Sequence, residues 1–103
     1  MAWIYLLLAG VFEIAFAICL KLSDGLTKLK PTVMFLVFSL ISFLLLSKSL
    51  NKIPVGTAYL VWTGIGAIGT AILGMTFFHE PCNFWRIFFI IIMIIGIIGL
   101  KIS

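Results

Sequence analysis

Four long apolar runs dominate this chain of 103 residues. They cover about residues 3–21, 32–48, 55–78 and 84–100. A run of ~20 apolar residues is the length that an α-helix needs to cross the hydrocarbon core of a bilayer. The chain is 64% hydrophobic and only 10% charged, and the surface of a water-soluble domain needs more charge than this. We therefore predict an all-α integral membrane protein, one domain over residues 1–103 with four transmembrane helices.

The segments between the runs carry turn-forming and charged residues: LSDGLTKLKP, NKIP and HEPCN. Pro and Gly in such short polar segments mark turns at the membrane surface. Connections this short force neighbouring helices to run antiparallel, so both ends of the chain should lie on the same side. The first run is not preceded by basic residues and Glu13 interrupts it, so we interpret it as a retained helix rather than a signal peptide.

Basic residues are divided almost evenly between the two predicted sides of the membrane. The side of the first and third loops holds Lys21, Lys28, Lys30 and Arg86, and the side of the termini and second loop holds Lys48, Lys52 and Lys101. The positive-inside rule needs an asymmetry to set orientation. Either other features fix one topology, or the chain inserts both ways. Dual insertion predicts an antiparallel homodimer with the inverted-repeat symmetry that transporters use for alternating access.

A second copy is also expected because four short helices are too few to enclose a polar pathway and shield it from lipid. The last run ends IIMIIGIIGLK, with Gly96 and Gly99 three positions apart among bulky residues. Small residues on one face let two membrane helices approach closely. We predict that this pair packs at the dimer interface, and packing within the chain is the alternative.

Glu13 is the single acidic residue placed at membrane depth, since Asp24 and Glu80 fall in loops. A charged side chain at the bilayer centre costs ~2.5–3.5 kcal/mol on insertion scales, so it must face a cavity or a partner. Burial disfavours the ionised form of a carboxyl group, and a second Glu13 nearby would add repulsion. We predict that this residue holds either a proton or a cation. A permanently protonated contact between helices is the alternative.

Aromatic and hydroxyl side chains are positioned to complete a cation site. Phe16 supplies a ring one turn after Glu13, and FSLISF of the second helix offers two serine hydroxyls, either of which could orient the carboxylate. In the third helix, Tyr59 offers a hydroxyl that can donate to a carboxylate, and Trp62 offers an indole that can stack on a flat cation.

Three glycines follow these aromatic residues in the third helix: Gly64, Gly66 and Gly69. Closely spaced glycines reduce helix stiffness and invite a bend. A bend in a helix that lines the pathway would help to open one side and close the other, so we predict a gating role. Close packing against a neighbouring helix is the alternative.

Other classes of function find little support in the sequence. Cys19 and Cys82 lie far apart without a C-x-x-C motif, and His79 has no ligand neighbours, so we expect neither a metal site nor a cofactor. The basic residues do not form a face with interleaved aromatics, which argues against nucleic-acid binding. No nucleophile–base pair or phosphate-binding loop is apparent, so we do not expect an enzyme.

Taken together, AGVFEIAFAICLK, the DG and KP of the first loop, PVGTAYLVWTGIGAIG and GIIGLK resemble the small multidrug resistance family of bacterial inner-membrane transporters. The resemblance covers nearly the whole chain. It implies an antiparallel homodimer, proton-coupled antiport, and paired Glu13 residues as the shared site for protons and substrate. It also implies that the fourth helix forms the main dimer contact.

Within the family, the third-helix stretch and the GIIGLK ending are closer to the guanidinium-exporter branch. By this resemblance Glu13, Ser42, Tyr59 and Trp62 match binding-site positions, whereas Phe16 replaces a usual Trp and lacks its N–H donor. The implied function is export of guanidinium and small guanidinylated cations. Three alternatives remain: a multidrug exporter of quaternary ammonium or polyaromatic cations, a heterodimeric subunit, and a non-transporting membrane partner.

Overall fold

In a computed structural model that describes residues 2–102, the chain forms four α-helices joined by short loops. They are α1 (Ala2–Leu22), α2 (Leu29–Ser49), α3 (Val55–Phe77) and α4 (Phe84–Ile102). All four are long and apolar enough to cross a membrane, which confirms the predicted four-span all-α architecture. Helix α2 begins three residues before its predicted start, because Pro31 fits into a first helical turn whose N–H groups need no partner within the helix. The antiparallel pairing of two copies stays a prediction.

Side-chain contacts show that α1 and α2 run in opposite directions. The Ser42 hydroxyl lies 2.7 Å from the carbonyl oxygen of Ala9, and the rings of Phe16 and Phe35 lie 5.7 Å apart. Position numbers therefore rise along α1 as they fall along α2. The two helices form a hairpin around the first loop, as the short connection predicts.

Helices α1 and α3 run in the same direction and approach each other closely at glycines. A Cβ atom added at Gly10 would lie 2.6 Å from Cγ2 of Ile65. A Cβ atom added at Gly69 would overlap the side chain of Ile14. Real Cβ atoms do not approach other atoms so closely. The two glycines therefore leave the space that the isoleucine side chains of the neighbouring helix occupy. Helix α3 is continuous from Val55 to Phe77, so the predicted bend remains a prediction while a packing role is visible.

The chain is flat, with extents of 40 × 35 × 17 Å, and α4 lies at its edge, where its backbone lies close to that of α3 alone among the described helices. Helix α4 packs on α3 through Ile97, whose Cδ1 atom would lie 2.7 Å from a Cβ atom added at Gly64. No described residue of α4 is buried. A Cβ atom added at Gly96 or Gly99 would meet nothing within 4 Å, so neither glycine packs against another helix of the same chain.

Lysine–aromatic contacts mark both ends of the bundle. The Lys21 ammonium lies over the Phe78 ring at 5.2 Å, which places the first and third loops on one side. On the other side, Lys101 lies 5.7 Å from the centroid of the Trp3 ring. Lysines near helix ends and tryptophan rings are typical of the boundary between lipid tails and water. They leave Glu13, which lies in the middle of α1, well inside the membrane.

Candidate functional site

The carboxylate of Glu13 rests on the backbone of α3. A Cβ atom added at Gly66 would overlap the Glu13 carboxylate, so the absence of a side chain at that position makes room for the acid. The Oε2 atom of Glu13 is buried and has no hydrogen-bond partner among residues 2–102. Leaving a buried polar atom unpaired costs ~1–3 kcal/mol, so such atoms in native proteins call for an explanation. This oxygen is therefore open to a proton or to a donor supplied by a ligand.

A fully buried hydroxyl connects three helices one turn from the acid. Ser42 of α2 donates a hydrogen bond to the carbonyl oxygen of Ala9 in α1 at 2.7 Å. Its oxygen in turn accepts a hydrogen bond from Nε1 of Trp62 in α3 at 2.9 Å. Ala9 lies four positions before Glu13 on the same face of α1. The network thus fixes the Trp62 indole next to the segment that carries the carboxylate.

The structure distinguishes between the two serines of FSLISF. Ser39 donates to the carbonyl oxygen of Leu36 at 2.9 Å, within its own helix. This is the usual arrangement for a membrane serine and links no second element. Ser42 is therefore the serine that faces the site. Its two hydrogen bonds go to Ala9 and Trp62, so the role in holding the Glu13 carboxylate that we predicted for it stays a prediction.

Replacing Ser42 with Ala should destabilise the protein by ~1–3 kcal/mol, because the buried indole N–H of Trp62 loses its acceptor. Thermal unfolding in detergent measures this change. Ser39→Ala is the matched control on the same helix, since it removes a hydroxyl that bonds to its own turn. Equal unfolding temperatures for the two variants would show that the network contributes nothing.

Five aromatic rings form a continuous row across the site: Tyr59, Trp62, Phe43, Phe16 and Phe35. Successive centroids along this row lie 5.7, 5.7, 6.1 and 5.7 Å apart. These separations are those of favourable tilted and edge-to-face pairs. The aromatic row joins residues of α1, α2 and α3 and offers ring faces to a flat or apolar ligand.

Phe35 and Phe43 were not singled out from the sequence. They lie eight positions apart on α2 and so share one helical face, and Phe43 directly follows Ser42. That spacing could have indicated them. The signal is weak because α2 is apolar on nearly every side, and a phenylalanine facing lipid has the same spacing as one facing a site.

The predicted site residues therefore fall into two groups. The first group lies around the contacts of α1 with α2 and α3 and consists of Glu13, Phe16, Ser42, Trp62, Gly66 and Gly69. Tyr59 lies at the rim of this group, 56% exposed, and its ring is 5.7 Å from that of Trp62.

The second group lies away from the acid, on or beside α4. Gly64 is buried beneath Ile97, and Gly96 and Gly99 lie on the uncovered face of α4.

Metal-binding chemistry has no visible basis in the part of the chain that the structure describes. Within residues 2–102, no group of three or more His, Cys, Asp or Glu side chains comes together. Cys19 is buried and Cys82 is exposed, and both are free thiols. The chemistry of the site is therefore that of a carboxylate, a hydroxyl and aromatic rings.

Comparison with known proteins identifies the family. A family model described as "Small Multidrug Resistance protein" matches residues 1–98. The chain belongs to the small multidrug resistance family. This membership confirms the resemblance found in the sequence, and with four spanning helices it makes the chain a multi-pass protein of the bacterial inner membrane.

Full-length relatives within the small multidrug resistance family are closely similar to this chain. It is 43% identical over 103 residues to the guanidinium exporter of Proteus vulgaris, covering all of this chain and 99% of the relative. It is 47% identical over 103 residues to the guanidinium exporter of Yersinia pseudotuberculosis serotype I (strain IP32953), again covering 100% and 99%. The guanidinium exporter of Escherichia coli (strain K12) is 43% identical, with 100% and 98% covered.

Proposed function

We propose that this protein exports guanidinium and small guanidinylated cations in exchange for protons. The observation that carries the proposal is the buried, unpartnered Oε2 atom of Glu13 in the middle of a membrane-spanning helix. Relatives that are 43–47% identical over their full length are named guanidinium exporters, which supports the choice of substrate. The positions of Ser42 and Trp62 beside the acid support the same assignment.

Guanidinium suits this combination of groups for physical reasons. It is planar, weakly hydrated and carries several N–H donors in a fork that matches the two oxygens of a carboxylate. Its flat face can lie against an aromatic ring. Glu13 would accept the hydrogen bonds, and Trp62, held by Ser42, and Phe16 would provide ring faces. Guanidinium also stays charged near neutral pH, so it cannot leave the cell as a neutral base.

Exchange follows from the fact that one carboxylate cannot hold a proton and a cation tightly at the same time. Protonation of Glu13 removes the negative charge that attracts guanidinium, and guanidinium binding favours loss of the proton. If the site opens to one side at a time, downhill proton entry drives cation exit. The glycines of α3 would allow the small backbone movements that this alternation needs.

The transporting unit in this proposal is a homodimer of oppositely oriented copies. Helix α4 has no buried described residue, and Gly96 and Gly99 have open space above them, so a second α4 could approach closely. The near-equal division of basic residues between the two sides permits both orientations. Two Glu13 side chains, one from each copy, would then share the site.

A multidrug exporter of quaternary ammonium or polyaromatic cations is the second candidate, and one observation favours it. Phe16 has no N–H with which to orient the carboxylate, and its ring contacts Phe35 and Phe43. A site with more ring surface and fewer directional donors would accept bulkier apolar cations.

Electrical recording from reconstituted protein distinguishes the two candidates. We expect guanidinium to drive proton-coupled currents and tetramethylammonium to drive currents at least about tenfold smaller, because only guanidinium donates hydrogen bonds to the carboxylate. Phe16→Trp should widen this preference by ~3–10-fold, the value of one added hydrogen bond. Phe12→Trp, one turn earlier and in contact with Phe38, is the control. Equal currents for the two cations would favour the multidrug candidate.

A further inference from the structure

A cavity of about 250 Å³ lies at the end of the bundle that holds the second loop and the end of α4. Its apolar lining includes Trp3, Ile53 and Leu100. Its polar lining is formed by two basic side chains and one hydroxyl, those of Lys52, Lys101 and Thr57. The cavity is separate from the Glu13 site, which lies in the middle of α1.

The charges around this cavity are not neutralised by acidic side chains. The three acids of the sequence are Glu13, inside the membrane, and Asp24 and Glu80, in the loops at the opposite end of the bundle. Within residues 2–102, neither Lys52 nor Lys101 takes part in an ion pair. The cavity is therefore cationic, and it favours an anionic ligand.

The opposite end of the bundle is different, although it carries more basic residues. There the guanidinium of Arg86 pairs with Glu80 at 2.7 Å, and Asp24 lies in the same region. Among residues 2–102, a cavity lined by two lysines with no acidic side chain beside it is thus found at the end that holds Lys52 and Lys101.

The position of the cavity indicates where such an anion comes from. Lys101 lies over the ring of Trp3, and Lys–Trp pairs of this kind are typical of the depth at which lipid headgroups lie. The apolar lining residues continue into membrane-spanning helices, where acyl chains run beside the protein. A ligand with an anionic head and an apolar body matches both parts of the lining.

We propose that this cavity binds the phosphate group of an anionic phospholipid. Lys52 and Lys101 neutralise the phosphate, the hydroxyl of Thr57 donates a hydrogen bond to it, and the apolar wall contacts the glycerol and first acyl carbons. The proposal does not depend on the transported substrate, because none of these residues belongs to the Glu13 site. A loss of lipid binding and a loss of transport are therefore separable results.

The proposal is tested by native mass spectrometry of the full chain after its release from membranes of phosphatidylglycerol or of phosphatidylcholine. We expect the protein to retain phosphatidylglycerol in preference to phosphatidylcholine. Lys52→Gln combined with Lys101→Gln should weaken that preference by about 30-fold, the effect of two lysines near an anionic headgroup. The corresponding double change to Arg keeps both charges and should keep the preference.

The matched control is Lys28→Gln combined with Lys30→Gln, which removes two charges at the opposite end of the bundle. It should leave the retained phosphatidylglycerol unchanged. Equal losses from both Gln pairs would overturn the proposal, because lipid binding would then reflect general charge. Unfolding temperatures in millimolar inorganic phosphate show whether free phosphate could be the ligand instead of a lipid. If inorganic phosphate stabilises the protein against heat as strongly as phosphatidylglycerol does, the lipid assignment is overturned. Unfolding temperatures in phosphatidylcholine confirm that each variant is folded.

Discussion

Glu13→Gln is expected to abolish guanidinium-driven proton movement in reconstituted vesicles and to weaken guanidinium binding by about 100-fold. The amide has nearly the shape of the acid, but it carries no negative charge and takes up no proton. Charge-assisted hydrogen bonds contribute ~1.5–3 kcal/mol, which corresponds to this loss of affinity. The measurement is proton release and uptake by the protein as guanidinium is added and removed. Because the side chain packs on Gly66, the similar size of Gln should leave the helix contact in place.

Asp24→Asn is the matched control for that experiment. It makes the same chemical change at a loop residue with a φ of 52°, a conformation that Asn adopts readily. Transport by this variant should equal that of the unchanged protein. Undiminished proton coupling in Glu13→Gln would remove Glu13 from the mechanism and with it the proposed exchange.

Gly66→Ala is expected to have the second-largest effect. The added methyl group would occupy the space of the Glu13 carboxylate, so either the acid or the whole of α1 must move. Overpacking of this kind costs ~1–3 kcal/mol of stability. Displacement of the acid should also reduce guanidinium affinity by about tenfold or more, since a carboxylate moved out of place loses its fork geometry. Thermal unfolding and guanidinium titration of the same sample measure both quantities.

Gly56→Ala provides the comparison on the same helix. A Cβ atom added there meets nothing within 4 Å. In a helix, Ala is more favourable than Gly by up to ~1 kcal/mol, so this variant should be as stable as the unchanged protein or slightly more stable. Unchanged affinity and stability in Gly66→Ala would mean that Glu13 does not need the space that the glycine leaves.

Much of the fold could be predicted from the sequence because the bilayer imposes one dominant requirement. Apolar runs of membrane-spanning length and short polar connections gave four helices and their alternating directions. Helix α2 begins three residues before the start that the sequence predicts, because a proline that is typical of a loop also fits into a first helical turn.

The site was only partly predictable, and the reason is the uniformity of the helices. Glu13, Ser42 and Trp62 stand out because polar atoms are rare at membrane depth. Phe35 and Phe43 do not stand out, because the sequence of an apolar helix does not show whether a phenylalanine faces lipid or a binding site. The glycines of α3 are similar, because spacing alone does not show whether a glycine makes the helix flexible or leaves space for a neighbouring side chain. In the structure, Gly66 and Gly69 leave the space that the side chains of Glu13 and Ile14 occupy.

The hydroxyl of Ser42 has a consequence for how the subunit can move. Its two hydrogen bonds join α2 to α1 and α2 to α3. Separating any two of these three helices near the membrane centre therefore breaks at least one of the two hydrogen bonds. Helix α4 meets α3 through apolar contacts such as Ile97 on Gly64, which can slide without that loss. The first three helices should therefore stay together around Ser42, and displacement between helices of one subunit should concentrate at the contact of α3 with α4.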